Sequence, residues 1–168
     1  MVIKFKKNKT IQQSNIFIIG VSSFGYEFMK AFTLVAFSTK TNKSNKVTIT
    51  DDDNIGISNL NRQFLYRNII VRKSKSITAC EVVKEMNPEF NCYALNNRIW
   101  IDTEDIFDQN FRESQYYIIN AIDNVEARVY LSNQCLINKK FLIDCGIEGK
   151  IANSQVLYLI KTSNIYWL

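Results

Sequence analysis

The stretch Asn15-Ile16-Phe17-Ile18-Ile19-Gly20-Val21-Ser22-Ser23-Phe24-Gly25 runs from an unbroken apolar segment straight into a turn bounded by two glycines. An apolar run without polar alternation is the form of a parallel strand buried on both faces. Downstream, Tyr26 to Phe37 sets Phe28, Met29, Phe32, Val35 and Ala36 near helical spacing, so strand, glycine turn and helix stand in order. In a GxGxxG turn the backbone amides and the helix N-terminus approach a phosphate. Gly20 and Gly25 supply the outer glycines, but Ser22 stands at the middle position. A Cβ there displaces a phosphate from the backbone, while the Ser22 and Ser23 hydroxyls are able to donate to it. The plain alternative is that Gly20 only permits a tight strand-to-helix turn; the motif alone leaves both readings open.

Outward from this unit, strands and helices alternate. Lys46-Val47-Thr48-Ile49 is β-branched and reads as a second strand, after a polar loop over 38–45. Lys73 to Met86 carries Ile77, Cys80, Val82 and Val83 near one helical face and stops at Asn87-Pro88. A third strand is expected around Phe90 to Leu95, and a mixed segment from Ile101 to Phe111 includes a short helix. Tyr116 to Ala121 is another buried strand, with Asp123 and Asn124 at the cap of a helix from Val125 to Ile137. Phe141 to Asp144 and Ser154 to Ile160 complete the strands, and residues 1–14 form a basic leading helix or arm. This order predicts an α/β fold: a Rossmann-like, doubly wound, mostly parallel sheet with helices on both faces. There is no internal repeat or linker, so residues 1–168 are expected to form one domain.

The second informative stretch is Thr50 to Leu65. Asp51, Asp52 and Asp53 emerge at the C-terminal end of the second predicted strand, the edge where open α/β sheets bind ligands and where a carboxylate suits ribose hydroxyls. Asn61, Arg62 and Gln63 follow with amide and guanidinium donors. Carboxylates for a sugar or a metal beside a forked cation for phosphate describe a nucleotide site. An acidic triplet in a polar turn is the bland reading of the same residues.

Composition narrows the chemistry. Histidine is absent, which removes histidine triads, histidine general bases and histidine metal sites. Cys80, Cys92, Cys135 and Cys145 are scattered without a CxxC pair, so they read as small buried hydrophobes in a reducing compartment and not as a zinc site or a disulfide framework. The formal charge of +5 comes largely from lysines outside any aromatic-interleaved pattern, which argues against nucleic acid as a partner. Apolar runs fall well short of the roughly 20 residues of a membrane span. An intracellular protein acting away from the membrane is the expectation. Trp100 and Trp167 enter none of these motifs.

Together the residues resemble the active adenylation domain of ubiquitin-activating enzymes, within the superfamily that adenylates ubiquitin-like C-termini and small sulfur-carrier proteins. The resemblance runs from about Ile3 to Lys161. Its most specific part is Ser58-Asn59-Leu60-Asn61-Arg62-Gln63-Phe64-Leu65, similar to the family's SNLNRQFL, with Asp51 and Asp53 in the acidic lead-in. Lys75 matches a basic helix start, Met86-Asn87-Pro88 follows that helix, and Asn120 to Arg128 resembles NALDNVDAR. Gly146 to Gln155 matches GTxGTKGNTQ more loosely. The resemblance implies ATP and Mg²⁺ as cofactors and ubiquitin or a ubiquitin-like protein as partner. It implies that Asp51 holds the ribose, that Asn61, Arg62, Gln63 and Lys75 face the phosphates, that Asp53 and Asp123 lie near the metal, and that Asn124 and Arg128 border the path of the modifier's tail.

The chemistry accommodates a chain without histidine. A C-terminal carboxyl, with a pKa of about 3.5, is already ionised at neutral pH and attacks phosphorus without a general base. The site must instead supply positive charge, for which Arg62 and Lys75 are the candidates. Departures from the family pattern are Ser22 in the glycine turn, Gly56 in place of a polar residue, and Arg72 where glycine is frequent. The motifs of the thioester cysteine domain and of the ubiquitin-fold domain are not found, and the family completes its ATP site with an arginine from a second adenylation-type domain. The expectation is therefore a truncated adenylation domain that needs other domains in trans. Two rivals stand beside it. One is a degenerate scaffold that pairs with an adenylating partner, and the other is a NAD-binding fragment, for which Lys75 and the Asn-Arg-Gln triplet have no use.

Overall fold

The computed structural model describes residues 14–35, 37, 45–61, 63, 66, 71–148 and 151–158. Arg62, most of the expected leading arm and most of the loop over 38–45 lie outside them. Six strands form one sheet: β1 Ile16–Ile19, β2 Val47–Thr50, β3 Cys92–Leu95, β4 Tyr117–Asn120, β5 Phe141–Glu148 and β6 Ile151–Tyr158, in the order β3-β2-β1-β4-β5-β6. The first five are parallel and β6 returns antiparallel to β5. Among the described residues four α-helices accompany them: α1 Ser23–Leu34, α2 Lys75–Met86, α3 Gln109–Ser114 and α4 Val125–Ile137.

The central strand shows why the apolar run reads as it does. All four residues of β1 are buried, and the pleat sends them to two cores. Ile16 and Ile18 meet Tyr26 and Met29 of α1 and Ala79, Cys80 and Val83 of α2 on one face. Phe17 and Ile19 meet Phe111 of α3 and Leu131 and Cys135 of α4 on the other. Each such side chain contributes roughly 1.5–3 kcal/mol by leaving water, and a one-residue slip of β1 would exchange the two sets.

The helices start where their caps dictate. Asn124 Oδ1 accepts the Ala127 amide at 2.9 Å and Asp108 Oδ1 that of Phe111 at 2.7 Å, while Ser74 Oγ reaches the Ile77 amide at 3.5 Å. Helix α1 starts at Ser23, inside the glycine motif, three residues ahead of the stretch its apolar spacing marks. Strand β5 continues past Asp144, and β6 begins at Ile151. No helix among the described residues is long and apolar enough to cross a membrane.

The winding places one crevice. From β1 the chain moves outward through β2 to β3, then crosses the C-terminal sheet edge and restarts on the other side of β1 as β4. The order reverses between β1 and β4, which is where open α/β sheets bind ligands.

Candidate functional site

A cavity of about 430 Å³ opens at this reversal point. Its walls are the glycine turn (Gly20, Ser22), the end of β2 (Thr50 to Asp53), Lys75 at the start of α2, the segment Asn97 to Trp100 after β3, and Ala121 to Ala127 after β4. The volume falls in the range of small-ligand sites.

The turn is held tightly from below. Gly20 has φ +90°, and a Cβ on it would lie 2.7 Å from the Ala121 carbonyl oxygen, so glycine is required on two counts. At Gly25 a Cβ would fall 1.8 Å from the Gly20 oxygen, which lets α1 close against the strand end. Ser22 occupies the N-cap of α1 with no side-chain cap bond to the helix, and it lines the cavity. The first amides of a helix have no intrahelical partner, and those of α1 begin beside this cavity.

Asp51 ties two strand ends together. Its Oδ2 accepts the Val21 amide at 2.6 Å and its Oδ1 the Asp53 amide at 2.8 Å. Burial raises its carboxyl above the ordinary 3.8, opposed by these two amides and by nearby Lys75. Each oxygen keeps a second lone pair, so the group remains able to accept from a ligand hydroxyl. Asp51, Asp52 and Asp53 can each bring one oxygen within 4.8 Å of the others, a set of hard donors of the kind Mg²⁺ takes.

Lys75 is almost fully buried, and its Nζ donates to Asp53 Oδ2 at 2.6 Å, while its amide donates to the Asp53 carbonyl at 3.0 Å. Tyr66, itself buried, donates its hydroxyl to the Lys75 carbonyl at 3.2 Å. The cation is thereby fixed at the cavity wall beside an acid that is mostly in solvent. Opposite, Asp123 is exposed on the wall and leaves the capping of α4 to Asn124.

Gly20, Asp51, Asp53, Lys75 and Asp123 thus surround one cavity. Asn61 and Gln63 are absent from its wall. Asn61 is exposed, whereas Gln63 is fully buried and both of its amide atoms lack a hydrogen-bond partner among the described residues. Arg128, expected near the modifier's tail, donates to buried Asp144 at 2.5 Å. The wall also holds Asp52, the middle of the acidic triplet, together with Asn97, Arg98, Ile99 and Trp100, which the sequence motifs do not single out. Position alone was available to find the last four, since they follow a strand at the binding edge of the sheet.

Comparison with known proteins follows this geometry. The ThiF family model matches residues 1–166. Ubiquitin-activating enzyme E1 1 of Arabidopsis thaliana is 38% identical over 159 residues, which is 95% of this chain and 14% of that protein. Ubiquitin-like modifier-activating enzyme 6 of Mus musculus is 40% identical over 147 residues, 88% of this chain and 14% of that protein. The chain therefore spans about a seventh of these relatives' length. Among solved structures, E. coli tRNA N6-threonylcarbamoyladenosine dehydratase, TcdA, matches with a TM-score of 0.69 at 22% identity, over 85% of this chain and 56% of that one, a likeness of fold. By the family match and by these identities, the chain belongs to the ThiF family, within the ubiquitin-like modifier activating superfamily.

Proposed function

We propose that this chain is the adenylation part of a ubiquitin-activating system, joining ATP to the C-terminal carboxylate of ubiquitin or a ubiquitin-like protein. The observation that carries the reading is the convergence of the glycine turn, Asp51 to Asp53, Lys75 and Asp123 on one cavity at the sheet's reversal point. In the reaction a carboxylate oxygen of the modifier attacks the α-phosphorus, the bond to the bridging oxygen breaks, and pyrophosphate leaves with the electron pair. No proton has to be moved, which suits a site without histidine.

In this reading Asp51 accepts from the ribose, and the α1 N-terminus with the Ser22 hydroxyl receives a phosphate. Lys75 turns from Asp53 toward the leaving pyrophosphate, and Arg62 adds a second cation. Asp53 and Asp123 hold Mg²⁺, which when bound neutralises charge on the triphosphate. A second adenylation-type domain supplies a further arginine, and other domains act in trans. The relatives' names support the class of partner. Cysteines that are free and buried support an intracellular site of action.

The 2.6 Å pairing of Lys75 with Asp53 also favours a second reading, a scaffold whose cavity is closed to chemistry by its own ion pair. Pyrophosphate exchange separates the two. With ubiquitin and a supplied partner domain, the full chain is expected to exchange labelled pyrophosphate into ATP, and Arg62→Ala and Lys75→Ala each to lower that exchange about 10²–10³-fold. Absence of exchange together with absence of magnesium-dependent ATP binding in calorimetry would leave the scaffold standing.

A further inference from the structure

The cavity has two unlike sides. Toward α1 and α2 it is charged, through Asp51, Asp52, Asp53 and Lys75; toward α4 Ile99, Trp100, Ile122 and Ala127 supply apolar surface beside the polar groups of Arg98, Asp123, Asn124 and Glu126. The second side is crossed by the segment that carries the chain from β3 over the sheet edge, and that segment is pinned along its length. Thr50 donates its hydroxyl to the Asn97 carbonyl, Ile99 is buried in the core shared with α4, and Arg98 pairs with Asp102. The Trp100 amide donates to Thr103 Oγ1 at 3.1 Å, and the Thr103 hydroxyl donates to the Arg98 carbonyl at 2.9 Å.

The indole itself is held by an aromatic partner. Trp100 and Tyr130 have ring centroids 5.4 Å apart at 49°. Tyr130, on α4, donates its hydroxyl to Glu104 at 2.7 Å and accepts from Arg112 at 3.5 Å, and Arg112 lies 3.6 Å from Glu104. Trp100 remains half-buried, packed on Tyr130 and bordering the cavity. A large aromatic surface fixed in advance in the same cavity as groups suited to phosphate and ribose suits a flat heteroaromatic ring, and little ordering entropy is left to lose on contact.

We infer that Trp100 is the platform on which the nucleobase stacks, and that it gives the site a preference for purine over pyrimidine nucleotides. Every base offers a π-face to an aromatic platform, and purines present the larger one, so the preference is one of degree and does not separate the two purines. The inference rests on the nucleotide-binding reading above and adds the residue that reads the base.

The experiment uses the full chain with Trp167→Phe, which leaves Trp100 as its only tryptophan. Titration with Mg²⁺–ATP is expected to change Trp100 fluorescence saturably. Trp100→Ala is expected to weaken ATP by about tenfold or more, the range found when a stacking aromatic is removed, while Trp100→Phe stays within about threefold. Magnesium tripolyphosphate, measured by calorimetry, is expected to bind wild type and Trp100→Ala alike, and the advantage of ATP over UTP to shrink in Trp100→Ala. ATP binding with unchanged Trp100 fluorescence and an unaltered affinity in Trp100→Ala would overturn the inference. So would an equal loss of ATP and tripolyphosphate, which marks a purely structural residue. Wild type that binds neither compound defeats the nucleotide reading itself, and this inference with it.

Discussion

Asp51 Oδ2 accepts the backbone N–H of Val21 at 2.6 Å, so a side chain at the end of β2 fixes the glycine turn that follows β1. The carboxyl that does this is largely buried and its pKa is raised, because loss of water outweighs the two amides it accepts. A raised pKa means the folded state binds the proton more tightly than the unfolded chain. The Asp51 contribution to stability is therefore greatest below the ordinary 3.8 and declines as pH rises through the raised value. Asp51→Asn removes the titration. The stability difference, wild type minus Asp51→Asn, is expected to fall in urea unfolding as pH rises from below 3.8 through the raised value, since titrating groups that do not interact with Asp51 cancel in that difference. A difference that stays flat or rises with pH would contradict the account.

Lys75 and Asp53 make a pair in which one partner is dispensable to the fold. The Asp53 side chain is 68% exposed, so water replaces the lysine when it is lost, whereas the Lys75 side chain is 9% exposed and sits against the cavity. Lys75→Ala is expected to leave the folded chain intact by circular dichroism and to lower pyrophosphate exchange about 10²–10³-fold, the usual cost of removing one preorganised donor from a charged transition state. Asp53→Asn is expected to keep the lysine in place and raise the Mg²⁺ concentration needed for half-maximal exchange. If Asp53→Asn leaves the magnesium requirement unchanged, Asp53 is not a metal residue.

The sequence discloses the parts of this molecule that repeat a local rule. Ile16 to Ile19 reads as a buried parallel strand because each residue needs a core, and it has one on either side. Gly20, Asp51, Lys75 and Asp123 are legible because each sits at the end of a regular element, and parallel winding brings such ends to one edge. Trp100 is not legible in this way. Its place depends on where the chain crosses the sheet edge after β3, and on Tyr130, a residue thirty positions away on α4. Gln63 shows the converse: an amide beside an arginine reads as a ligand donor, but this side chain is fully buried and stands outside the cavity wall. The start of α1 was displaced because the cap, Ser22, lies within the glycine motif, where apolar spacing carries no signal.

Arg72 has φ 74°, a conformation that suits glycine, and its amide donates to the Ile55 carbonyl at 2.8 Å. The Ile55 amide in turn donates to the Lys73 carbonyl at 2.8 Å, so two backbone bonds tie the residues just before α2 to the segment that follows β2. That geometry accounts for the glycine frequent at this place in the resembling family, and it leaves this chain strained there. Arg72→Gly relieves the strain and gives back part of the gain through the entropy of the unfolded chain. The net expectation is a stabilisation of about 0.5–1 kcal/mol, seen as a rise of roughly 1–4 °C in Tm for a chain of this size. Arg72→Ala keeps the Cβ and is expected to show no such rise, so an equal gain from alanine would point to charge and not to backbone strain.

Asp144 anchors the side of the sheet next to the site. Its Oδ1 accepts from Asn120 at 2.7 Å and its Oδ2 from Arg128 at 2.5 Å, and Asn120 Oδ1 accepts the Ile122 amide at 3.3 Å, at the turn that presents Asp123. The Asp144 side chain is 2% exposed and that of Arg128 is 24% exposed, so the two are not equivalent. Removing the arginine strands a carboxylate with little access to water, whereas removing the carboxylate leaves a cation that can reach solvent. Arg128→Met is therefore expected to cost about 3 kcal/mol or more in urea unfolding, and Asp144→Asn about 1–2 kcal/mol, because asparagine still offers an oxygen to Asn120. Arg128→Met combined with Asp144→Leu is expected to be less destabilised than the sum of Arg128→Met and Asp144→Leu measured singly, since neither charge is then left alone. Equal costs for Arg128→Met and Asp144→Asn would show that solvent reaches Asp144 as freely as Arg128, and the asymmetry would have to be abandoned.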